Sequence, residues 1–114
     1  MYKEYDVEIK FIGENREVIK EKIHPIINPY DTDFNKLLDN LGITPNPKLS
    51  IFDVNMFENG VLDFTVKESE NDTGALELIY DFHKKLVDKF FPEFYVNLRI
   101  QMYDYKHDQK TVHF

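Results

Sequence analysis

Three carboxylates open the chain at period two. Glu4, Asp6 and Glu8 alternate with Tyr5, Val7, Ile9 and Phe11. In an extended backbone this spacing puts the acids on one side and the apolar residues on the other. Within that segment only Lys10 offsets the acids, so the row costs some stability through repulsion and attracts positive charge. If later segments pair beside it, Asp53 and Asp63 join the same side, and residues 94–105 add Tyr95, Asn97, Arg99, Gln101 and Tyr103. Such a face offers recognition of a basic surface, with tyrosines as contact anchors. The plain alternative is an ordinary solvated sheet face.

Other reactive types are sparse. His83 falls among apolar positions of a long helical segment, while Glu77 and Asp81 fall on its polar side. It reads as a lone histidine bonded to a backbone carbonyl. His107 and His113, with Asp104 and Asp108, match no standard metal spacing. Ser50 and Ser69 are the only serines, and neither sits in a strand-turn-helix elbow. The four glycines are too scattered for a phosphate loop. Cysteine is absent, which excludes thiolate nucleophiles, disulfides and Cys-ligated zinc. The expectation is a non-enzymatic chain with no catalytic residue, metal or cofactor.

The elements that must position the acidic row follow from periodicity. Residues 4–12 read as a strand. Residues 16–23 admit a short helix or an edge strand, with helix favoured by Glu and Lys content. Residues 32–41 carry Phe34, Leu37, Leu38 and Leu41 at helical spacing, with Asp31 or Thr32 as cap and Gly42 as stop. Residues 49–57 and 61–67 form a hairpin. A three-residue loop, Glu58-Asn59-Gly60, places Phe52, Val54 and Met56 opposite Val66, Phe64 and Leu62, apolar against apolar.

Residues 74–91 form a long helix, capped by Asp72 or Thr73 and stopped at Phe91-Pro92. Its stripe is Ala75, Ile79, Phe82, Leu86 and Phe90, widened by Leu76, Tyr80, Val87 and Phe91. That arc exceeds what one sheet contact needs. Residues 94–105 alternate as a last strand. The tail, 107–114, either frays or adds a short strand at Thr111-Val112.

At 114 residues the chain is one α+β domain with a real core. The order predicts an antiparallel sheet with two helices on one face, a βαββαβ ferredoxin-like arrangement. A five-stranded ββαββαβ variant follows if 16–23 is a strand. RNA-recognition domains of this topology carry stacking aromatics on central strands in a basic surround. Here the central strands carry carboxylates, and the tyrosines fall on the last strand, at the sheet edge.

With 21 acidic and 14 basic residues the formal charge is −7, which disfavours direct nucleic-acid binding. No apolar run approaches a membrane span, and the charged N-terminus lacks a signal-peptide pattern. The expected setting is cytoplasmic. Small, acidic, motif-free chains of this sort are similar in kind to phage inhibitors of host defence enzymes and to toxin-immunity proteins, with no shared motif. The resemblance implies a protein partner with a basic surface, such as a nucleic-acid-binding protein. Glu4, Asp6, Glu8, Asp53, Asp63, Tyr95, Arg99 and Tyr103 are the expected contacts. The alternatives are a homo-oligomeric structural or regulatory module, such as a homodimer, and a small-ligand-binding or enzymatic ferredoxin-like domain.

Overall fold

The alternating N-terminal segment forms strand β1 (Lys3–Ile12), with Tyr5, Val7, Ile9 and Phe11 buried. The structure is a computed structural model that describes residues 3–25, 34–57, 59–69, 74–104 and 110–113. Helices α1 (Arg16–Ile23) and α2 (Phe34–Asn40) follow, then strands β2 (Leu49–Phe57) and β3 (Val61–Glu68). Helix α3 (Ala75–Phe90) and strands β4 (Tyr95–Asp104) and β5 (Lys110–His113) complete the order. Four strands form an antiparallel sheet in the order β2-β3-β1-β4, and short β5 extends it beside β4. The inward residues of the sheet and the buried residues of all three helices form one core.

Residues 16–23 are a helix, the favoured reading, so the strand alternative falls; the described residues hold three helices where two were expected on the sheet. The Asn15 side chain accepts the Glu17 N–H at 3.0 Å, which caps the first turn and commits the segment to helix. The expected caps of α2, Asp31 and Thr32, lie outside the described residues. Its end is as expected: Gly42 has φ 71°, its N–H reaches Asp39 O at 3.0 Å, and Ile43 N–H reaches Leu38 O at 2.8 Å. This paired closure needs a left-handed residue at Gly42.

The hairpin keeps its expected three-residue loop, since Met56 opposes Leu62 and Phe57 opposes Val61. The register then departs from expectation. Phe52 opposes Thr65 and Asn55 opposes Asp63, leaving Asp53 and Val54 against Phe64 alone. This is a β-bulge, and Asp53 takes φ 54° within it. The extra residue reverses the alternation. Phe52, expected inside opposite Val66, lies on the outer face and is 38% exposed. Ile51 takes the inner place opposite Val66.

Helix α3 buries Ala75, Leu78, Ile79, Phe82, Leu86 and Phe90. The wider arc is only partly covered: Leu76 and Val87 are half-buried, while Tyr80 and Phe91 are exposed. Its N-cap is Gly74, which has no side chain to offer; the expected caps Asp72 and Thr73 lie outside the described residues. The buried Glu68 carboxylate instead accepts the Ala75 N–H at 3.1 Å. Charge and acceptor thus meet the positive end of α3.

His83 lies where its lone-histidine reading puts it. Phe11 donates its N–H to Gly60 O at 2.9 Å, so the polar backbone groups of Val96, its opposite number in β4, face away from β1. His83 Nε2 lies 2.7 Å from Val96 O. A carbonyl only accepts, so Nε2 carries the proton and ties α3 to the margin of β4. The tail supplies β5 across Lys110–His113, opposite Gln101 to Asp104. Tyr103 therefore does not sit on an edge strand, contrary to expectation; β5 flanks it.

Candidate functional site

The outer sheet face is built by parity. Inward Tyr5, Val7 and Ile9 force Glu4, Asp6 and Glu8 outward, and the neighbouring strands obey the same alternation. Cross-strand rows result. Glu4 stands between Lys67 and Tyr103, Asp6 between Thr65 and Gln101, and Glu8 between Asp63 and Arg99. The bulge in β2 then turns Phe52 and Asp53 to this side.

Six of the eight expected contacts converge. Glu4, Asp6, Glu8, Asp53, Asp63 and Arg99 line one open depression of about 500 Å³, with Phe52 and Gln101 at its border. Five carboxylates thus face one guanidinium. Neutral donors hold two of the acids: Thr65 Oγ1 donates to Asp6 Oδ1 at 3.0 Å, and Asn55 Nδ2 donates to Asp63 Oδ1 at 3.3 Å. The same amide donates to Asp53 O at 3.0 Å, which fixes the bulge beside the acids. Neutral donors orient a carboxylate without cancelling its charge, so the field of the depression stays negative. Among the described residues no group of three or more His, Cys, Asp or Glu is placed to hold a metal ion. The acids are spread along rows instead of converging on one point. Such a surface presents an extended negative array.

Neither tyrosine lines the depression. Tyr103 flanks Glu4. Tyr95 lies at the far end of β4, opposite Ile12, with its ring centroid 5.7 Å from that of Phe91.

That far end is a second feature, which the sequence reading did not assemble. Among the described residues six large apolar side chains are exposed, and four of them meet here: Ile12, Val18, Phe91 and Tyr95. Ile12, Val18 and Tyr95 border a groove of about 390 Å³ that runs between the end of β1, the start of α1 and the α3–β4 turn. Gly13 permits its close packing, since a Cβ there would come within 3.0 Å of Ile19 Cδ1 and of Phe94 Cβ. One signal was present in the sequence. The outward row Glu4, Asp6, Glu8, Lys10 ends on an apolar residue, Ile12, which breaks its pattern.

Compared with protein-family models, curated proteins and solved structures, the chain matches none of them. Among the described residues no helix is long and apolar enough to cross a membrane.

Proposed function

We propose that this chain is a small acidic binding protein, non-enzymatic, that occludes a basic surface of a protein partner. The kind of protein it would join is the phage anti-defence inhibitor or the toxin-immunity protein, acting in the cytoplasm. The scaffold we assign is ferredoxin-like: α1 and α2 together form the first crossover, α3 the second, and β5 is an addition. The strand order β2-β3-β1-β4 with all neighbours antiparallel supports that assignment.

One observation carries the functional reading, the depression in which five carboxylates face a single guanidinium. Among the described residues no helix packs on this sheet face; the helices pack on the other side. Its acids lie on strands, so they are presented in a fixed array and lose little freedom when a partner binds. A net charge of −7 speeds encounter with a basic surface and orients it before contact. A nucleic-acid-binding groove is such a surface, and occupying it would exclude its nucleic acid.

Ionic strength tests the reading. Titrated with a fluorescent lysine–serine peptide, the chain should bind at low salt and lose about tenfold or more in affinity by physiological ionic strength. Affinity independent of salt would rule out an electrostatic docking face.

A further inference from the structure

We infer that the groove at the far end of the sheet is the apolar anchor point of the same interface, taking one large apolar or aromatic side chain that projects from the partner's basic surface. This rests on the acidic-face reading and adds the chemistry that would make a partner specific.

The argument begins with position. Ile12 and Tyr95 belong to the outer rows of β1 and β4, the same rows that carry Glu8 and Arg99. Arg99 lies four residue steps along the strand from Tyr95, which is about 13 Å. A standard interface covers about 800 Å² on each partner, a patch roughly 30 Å across, so one footprint spans both features. Interfaces commonly join an apolar, well-packed anchor to a charged surround that steers and orients.

The groove suits an anchor. Tyr95, which lines it, is 60% exposed, and Phe91, which lies beside it with its ring tilted at 58° to that of Tyr95, is 54% exposed. Ile12 and Val18 supply aliphatic walls. An exposed apolar cluster of this size gains by being covered.

Charge decides between occupants. Glu14 and Glu93 lie at the rim, the latter held by Lys22 Nζ at 2.8 Å. A second copy seated here would bring another chain of charge −7, with its own acidic depression, against the first. A basic surface carrying an apolar side chain meets complementary charge on the adjoining face instead. The partner chemistry is therefore cationic with one projecting apolar group.

Two synthetic peptides test this, a lysine–serine peptide and the same peptide with one serine replaced by Trp. The intact chain should bind the Trp peptide about tenfold more tightly, the value of burying a large aromatic surface. A Phe91→Ser, Tyr95→Ser variant should lose that gain and keep its affinity for the plain peptide. Both positions are more than half exposed, and an unchanged thermal unfolding midpoint confirms that the variant folds. Equal affinity of the intact chain for both peptides overturns the anchor, as does a Trp gain that survives the double substitution. The two readings fail separately. Binding that ignores salt removes the acidic face, even where the Trp gain depends on Phe91 and Tyr95.

Discussion

Phe82→Ala should lower the unfolding free energy of the domain by about 3–5 kcal/mol, read from urea unfolding followed by circular dichroism. Phe82 is fully buried at the middle of α3. Its ring centroid lies 5.2 Å from that of Phe34 on α2 and 5.6 Å from that of Phe64 on β3, and Phe34 lies 4.5 Å from Phe64. One side chain therefore joins two helices to the sheet. Its removal forfeits the transfer free energy of the ring, leaves a cavity among rigid neighbours and deletes two aromatic contacts. The second aromatic cluster, Phe11, Phe90 and Phe94, lies elsewhere in the core and does not close that gap. A loss below about 1 kcal/mol would mean that α2 and α3 do not pack on the sheet as described.

Glu68→Ala should cost about 2–4 kcal/mol, a large effect for a single carboxylate. Glu68 is 3% exposed at the end of β3. Its Oε2 accepts the Ala75 N–H at 3.1 Å, and its Oε1 lies 3.5 Å from the Tyr5 hydroxyl, at the limit of a hydrogen bond. Alanine would leave the first N–H of α3 without this acceptor, in a place where Gly74 cannot replace it. It would also remove negative charge from the positive end of the helix dipole. Glu68→Gln retains an acceptor and loses only the charge, so it should fall about 1 kcal/mol below the parent, well above Glu68→Ala. Equal loss in both variants would assign the effect to charge alone, and no loss in either would remove Glu68 as the cap of α3.

Much of this architecture was legible because it rests on period. The inward set of β1, the stripe of α3 and the three-residue loop after Phe57 follow from alternation, helical spacing and apolar opposition. The bulge in β2 was not legible for a local reason. Ile51 and Phe52 are adjacent and both apolar, so the inward series can continue through either one. The left-handed φ of Asp53 decides it, and hydrophobic pattern does not encode that angle. The consequence reached the candidate site, since the bulge moved Phe52 from the core to the border of the acidic depression.

Glu68 continues the inward parity of Leu62, Phe64 and Val66, but a carboxylate at the end of a strand reads as solvated until the start of α3 is placed over it. The groove at the far end depends on tertiary assembly still more. Ile12, Val18, Phe91 and Tyr95 come from four elements or their margins, and no spacing in the chain brings them together. Glu4, Asp6, Glu8, Asp63 and Arg99 needed only the strand register to come together, and Asp53 joins them through the bulge.

The most direct test of the acidic docking face is the affinity of an Asp6→Lys, Glu8→Lys variant for the lysine–serine peptide at low salt. Both side chains point outward, with Asp6 exposed and Glu8 half-buried, so the fold should be retained. Reversal of two of the five carboxylates should weaken binding about tenfold or more and flatten its dependence on ionic strength. Affinity and salt dependence equal to those of the parent chain would contradict the assignment of this face as the docking surface.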